Sequence, residues 1–236
     1  MKLKESIADL VTANHILAYE GVVDAFGHVS VRHPLNPESF LLSRSCAPEL
    51  VQSEDILEFH LDGTPVDLKG FSPYAERFIH GAAYEKNPNI HAVIHNHAED
   101  LIPFSITEAK LGACCHVASS IGKEVRTWDI NDHFGDTNLL VLNIEQGRDL
   151  ANFMGNENIA LMRGHGCIVT GADLKETVRT AIYLLVNARI LTKAMQMGEP
   201  KFLTDGEIER ATSRKKGSIG GERAWEYWKK RSGLYG

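Results

Sequence analysis

The segment Leu174–Met197 carries the longest unbroken helical period in this chain, and it constrains what the remaining residues can build. Val178, Ala181, Ile182, Leu185, Val186, Arg189 and Ile190 recur at intervals of three and four, so they mark one face of a helix that Gly198 and Pro200 bring to an end. A stripe of that length has to lie on a broad apolar surface. The sequence offers such a surface as short runs: Val29 and Val31 alternating with polar neighbours, then residues 40–42, 56–61, 92–94, 139–142, Ile159–Met162 and 167–169. Each run is strand-sized, and several close on turn residues such as Asp62-Gly63 and Gly164.

Three further helices are expected. Residues 2–20 place Ile7, Leu10, Val11, Asn14, Leu17 and Ala18 on one stripe before Gly21; a second helix opens at Pro73, passes through Glu76, Ile79, Ala82 and Tyr84 and stops at Asn87-Pro88; a third covers 145–153. The strands are too irregularly spaced for a repeated βαβ pattern, so a mixed or largely antiparallel sheet flanked by helices follows. No repeat or long linker divides the chain, which predicts one α/β domain over residues 1–236. Residues 213–236, rich in charge and aromatics, form a C-terminal tail that is either mobile or docked on a neighbouring subunit.

Composition narrows the partners. With 25 basic against 31 acidic residues, a formal net charge of -6 and no Lys/Arg stripe, the chain lacks the phosphate attraction on which nucleic-acid binders depend. No apolar run reaches the roughly 20 residues of a membrane helix. Lys2, Lys4, Glu5 and Asp9 stand where a signal peptide would be apolar, and the four cysteines show no CxxC spacing. A cytoplasmic protein without nucleic-acid or membrane partners is expected, its thiols reduced.

The 11 histidines are the chemical signal. His95 and His97 follow an apolar run at i and i+2, which on a strand puts both imidazoles on one side, about 7 Å apart and able to share an ion. In a chain this rich in histidine, an HxH also arises by chance about half a time. His165 sits between Gly164 and Gly166 at the end of another run, where the backbone can turn sharply toward a ligand or simply make a surface turn. Glu76 lies in the first turns of its expected helix, placed either to act as ligand or base or to satisfy the helix dipole. Three imidazoles and a carboxylate together form a catalytic zinc arrangement that also suits manganese or cobalt. Gly27-His28 and Ser43-Arg44-Ser45 offer donors for an anion, or else a hairpin with a surface arginine; His116 is a weaker substrate-site candidate.

Taken in order, GHVSVR, Glu76 in YAERFIHGAAY, AVIHNH and MRGHG ahead of a long helix resemble the class II aldolase/adducin family over nearly the whole chain, roughly residues 7–198. The resemblance implies a three-layer α/β/α domain around a mostly antiparallel sheet. It also implies a homotetramer with the site near subunit interfaces, one divalent metal ion per chain on His95, His97 and His165, and Glu76 as the acid/base and a possible fourth ligand. Sugar-phosphate members hold phosphate with a Gly-Asn step, a Ser/Thr-Gly step and a Ser-Ser pair before the catalytic Glu. Here those places read Gly27-His28, Ser43-Arg44-Ser45 and Tyr74-Ala75, so the expected substrate is a small carboxylated, non-phosphorylated molecule, as in the members that decarboxylate hydroxylated aromatic acids. The expected activity is a metal-dependent carbon-carbon lyase, decarboxylase or aldolase, working through a stabilised enolate. The alternatives are a sugar-phosphate aldolase or epimerase, and an adducin-like scaffold without catalysis.

Overall fold

The first helix, α1 (Lys2–Tyr19), leads into three strands, β1 (His28–Arg32), β2 (Ser39–Ser43) and β3 (Ile56–His60). Then come α2 (Arg77–Lys86), β4 (Ala92–Asn96), the single turn α3 (Ile102–Ser105), β5 (Thr127–Trp128), the short α4 (Asn131–Phe134) and α5 (Ile144–Met154). The hairpin of β6 (Ile159–Met162) and β7 (Gly166–Gly171) feeds α6 (Leu174–Met197), followed by α7 (Asp205–Thr212) and α8 (Ile219–Arg231). This computed structural model describes residues 2–213 and 219–233, with the side chain of residue 219 excepted.

All seven strands join one sheet in the order β3-β2-β1-β4-β7-β6-β5, antiparallel throughout except for the β5–β6 pair. The pleat sends alternate residues to opposite faces. Val29, Val31, Ile94 and Val169 meet α1 and α6 on one side, while Phe40, Leu42, Val93 and Ile168 meet α2 and α5 on the other. The result is the expected mixed, mostly antiparallel sheet between helical layers.

All five residues of β1 are buried, because α2 covers the side that carries His28, Ser30 and Arg32. Three expectations change. The second helix begins at Arg77 and not at Pro73; Pro73 forms a β-bridge with Arg44, which keeps that stretch extended. Residues 139–142 form no strand: Leu139 has φ 66, a left-handed value that interrupts pleating, and the backbone there serves the site described below. In the tail, Trp225 and Trp228 of α8 are buried with α1 and α6 of the same chain, so this part packs on its own core. Residues 214–218 and 234–236 of the tail lie outside the described residues. The two-residue β5 escaped the sequence reading because no period can show in so short a strand.

Candidate metal centre

Four side chains from three separate regions converge at one end of the sheet. His95 lies near the end of β4, opposite His28 on β1 and Ile168 on β7, and His97 follows just beyond the strand. His165 stands in the β6–β7 turn. There Gly164 adopts φ +62, and Gly166 passes so close to β4 that a Cβ would lie 2.0 Å from the Asn96 carbonyl oxygen. Glu76 immediately precedes α2 with no helix-capping hydrogen bond; its side chain turns to the histidines instead.

One ligand atom from each of Glu76, His95, His97 and His165 lies within 4.8 Å of all the others. The His97 Nε2 is 3.0 Å from that of His95 and 3.1 Å from that of His165. Glu76 Oε2 stands 3.6 Å from the His95 Nε2 and 3.5 Å from the His165 Nε2. Its other oxygen accepts from the Val141 amide at 2.9 Å.

The outer partners decide what these nitrogens offer. His95 Nδ1 donates to the Cys167 carbonyl at 3.0 Å, and His165 Nδ1 donates to the Leu139 carbonyl at 2.8 Å. A carbonyl can only accept, so the hydrogen sits on Nδ1 and the Nε2 lone pair is bare. His97 Nδ1 points at Asp24 Oδ1 from 3.5 Å, and that carboxylate is itself held by the Phe26 and Gly27 amides. Three bare imidazole nitrogens and a carboxylate oxygen crowded together repel one another unless positive charge sits among them. They therefore fit a divalent cation, each oriented by an outer partner as metal-binding histidines usually are.

Burial and the neighbouring imidazoles push His97 down to about 4, so it is neutral at pH 7. Burial alone would raise the Glu76 carboxyl, but its interactions with the His165 and His95 imidazoles lower it by more, leaving the carboxyl well below the usual range and ionised.

The other anticipated residues divide. The ring of His28 is 5.1 Å from that of His95 and 4.5 Å from that of Tyr74. Tyr74 donates its hydroxyl to the Cys46 carbonyl, and Ser43 is fully buried. The Arg44 Nε is bound to Asp55 at 2.6 Å and its guanidinium stacks on Phe71, so it is an already paired cation. Ser45 contributes its amide to the Ser72 carbonyl. His116 is not brought to the cluster; it lines a cavity of about 460 Å³ with Thr170, Thr180 and Tyr183.

Sequence reasoning missed Asp24, the Leu139 and Cys167 carbonyls, and three buried polar residues, Ser30, His80 and Tyr84. A signal for the last three was present. Glu76, His80 and Tyr84 fall at i, i+4 and i+8, a polar stripe on an otherwise apolar segment, and His28, Ser30 and Arg32 form the matching face of β1.

A family model, the Class II Aldolase and Adducin N-terminal domain, matches residues 8–192. The chain is 33% identical over 213 residues to Decarboxylase tropJ of Talaromyces stipitatus, covering 85% of this chain and 80% of that protein. It is 25% identical over 189 residues to 3,4-dihydroxyphthalate decarboxylase of Arthrobacter keyseri, covering 76% and 73%. Among solved structures, L-fuculose 1-phosphate aldolase from Glaciozyma antarctica superposes with a TM-score of 0.78 at 19% identity, covering 99% of this chain and 90% of that one.

Proposed function

Because this chain belongs to the class II aldolase and adducin family and is a lyase, with relatives named both as decarboxylases and as aldolases, we propose that it decarboxylates a small, hydroxylated, non-phosphorylated carboxylic acid with the help of one divalent metal ion. The observation that carries the reading is the convergence of bare nitrogens from His95, His97 and His165 on the Glu76 carboxylate. His95, His97 and His165 would hold the ion, with the Glu76 carboxylate beside them: zinc, with manganese and cobalt also suited to the donor set. When bound, such an ion supplies positive charge against which enolate- or phenolate-type charge on the substrate is stabilised.

The chain's own residues do the rest. Ionised Glu76 takes the proton of the substrate hydroxyl and returns it to the carbon that loses carbon dioxide. Its second oxygen, held by the Val141 amide, fixes the carboxylate in place for both transfers. His28 and Tyr74 occupy positions where a phosphate cradle would need compact donors, and they suit a planar acid better. Arg44, anchored by Asp55, adds positive charge at the rim.

Assembly as a homotetramer with sites near the interfaces is part of the same proposal. Phe26, Ile106 and Leu142 are exposed apolar side chains on segments bordering the cluster, the kind of surface that another subunit covers. A cytoplasmic location fits the four free cysteines; no helix among the described residues is long and apolar enough to cross a membrane.

Elemental analysis of the purified protein, followed by a carbon dioxide release screen over hydroxylated aromatic and aliphatic acids, tests the proposal. One divalent metal per chain with release of carbon dioxide is expected. Metal without release, but with cleavage of a phosphorylated ketose, would replace decarboxylation by aldol chemistry. A protein that takes up no zinc, manganese or cobalt would return the fold to a scaffold role.

A further inference from the structure

Behind the metal cluster, a file of buried polar groups runs from the site into the layer between β1 and α2. Tyr84 Oη lies 2.8 Å from Ser30 Oγ, Ser30 Oγ lies 2.6 Å from His80 Nδ1, and His80 Nε2 lies 2.6 Å from His28 Nδ1. All four residues are at most 2% exposed, so the hydrogens of Tyr84, Ser30 and His80, behind the site-facing His28, must find their acceptors inside the file.

That requirement gives the file a direction. Among the described residues, the Tyr84 hydroxyl has only Ser30 Oγ as an acceptor, and a buried O–H without one would carry a penalty as large as several ordinary hydrogen bonds. Tyr84 therefore donates to Ser30, and Ser30 has its own hydrogen free only for His80 Nδ1. His80 must then carry its hydrogen on Nε2 and donate it to His28 Nδ1. His28 in turn carries its hydrogen on Nε2, and no acceptor among the described residues takes it. Its ring is walled by Tyr74 at 4.5 Å and His80 at 4.8 Å, and it stands in register beside His95. The reverse direction would strand the Tyr84 hydrogen and turn the His28 lone pair to the site.

We propose that Tyr84, Ser30 and His80 are positioning residues that lock the tautomer of His28, so that His28 presents a neutral N–H beside the metal cluster and selects a substrate bearing an anionic acceptor there, a carboxylate. The identity of that acceptor rests on the decarboxylase reading; the tautomer does not. The arrangement is the mirror of the metal histidines. His95 and His165 donate through Nδ1 and offer a bare Nε2, whereas His28 and His80 accept through Nδ1 and keep Nε2–H. One site thus holds both imidazole forms, sorted by outer partners: carbonyls behind the ligands, hydroxyls behind the donor. Burial depresses the basicity of His28 and His80, to about 3 for the latter, in keeping with two neutral rings.

The test is nitrogen NMR of the full-length protein labelled with ¹⁵N-histidine and loaded with zinc, with His28→Gln and His80→Gln used to assign signals. Neutral Nε2–H rings are expected for both His28 and His80. A His28 signal of the Nδ1–H form would overturn the proposal. In Tyr84→Phe the hydroxyl that sets the direction is gone, and mixed tautomers at His80 and His28 are expected with the metal content still one per chain; unchanged tautomers would remove Tyr84 from the file. With whichever acid the screen identifies, Tyr84→Phe should raise KM roughly tenfold, the worth of one hydrogen bond to a charged group, with kcat changed much less. The expected tautomers in a protein that decarboxylates no acid would leave the file standing and end the decarboxylase reading. Carbon dioxide release by a protein whose His28 is Nδ1–H would do the opposite.

Discussion

The two faces of the sheet are filled by different means, and β1 shows it within five residues. Val29 and Val31 point to α1 and α6, where the strands contribute hydrocarbon and the α8 tryptophans complete the layer. His28, Ser30 and Arg32 point to α2, where they hydrogen-bond to His80, to Tyr84 and to backbone carbonyls. Arg32 donates to the carbonyls of Ile90, Tyr84 and Pro37, so a buried guanidinium is satisfied without a carboxylate and helps to cap the end of α2. The difference teaches where the molecule places its stability and where its chemistry. An apolar layer tolerates many packings of similar volume, whereas a file of hydrogen bonds fixes ring orientation and tautomer at the cost of apolar burial.

Removing a ligand from the chemical face should have the largest effect. His95→Ala is expected to abolish stoichiometric metal binding and turnover while leaving a folded protein; full metal content and activity in the variant would dissolve the distinction between the faces. Next comes Glu76→Gln, which keeps the shape and the contact with the Val141 amide but removes the base. Its kcat should fall by about 10²–10⁴-fold with most of the metal retained, as metal analysis and steady-state rates on one sample will show.

On the apolar face, Leu184 is fully buried on α6, and Leu184→Ala should lower stability by about 2–5 kcal/mol in denaturant titration. The folded fraction should still bind one metal per chain, and loss of metal without loss of stability would mean that the faces are coupled more tightly than their packing indicates. The smallest change is expected for Arg44→Ala. The Arg44–Asp55 pair lies at the rim and is partly exposed, so the fold should persist and KM rise several-fold, consistent with loss of a single charged contact. An unchanged KM would confine Arg44 to holding the loop that bears Asp55.

Much of the scaffold was legible beforehand because its signals are local. The period of α1 and α6, the turn residues after the short apolar runs, and the HxH at the end of β4 each depend on neighbours a few positions away. The glycines around His165 likewise announced a turn that only small residues can make. The errors fall where distant contacts overrule local preference. Residues 139–142 look like a strand, but the chain there gives its Leu139 carbonyl to His165 and its Val141 amide to Glu76. The segment after Pro73 looks helical, but the bridge between Pro73 and Arg44 delays the helix until Arg77 and frees Glu76 to face the site.

The sequence by itself determined which residues could bind a metal and which helices and strands would carry them, because side-chain chemistry and periodicity are written in adjacent positions. Only the tertiary structure decided how each imidazole is used. The orientation of His95 depends on a carbonyl 72 positions away, that of His165 on one 26 positions away, and that of His28 on an imidazole 52 positions away. A ring's tautomer follows from the partner behind it, and that partner is supplied by whichever strand or helix the fold packs against it.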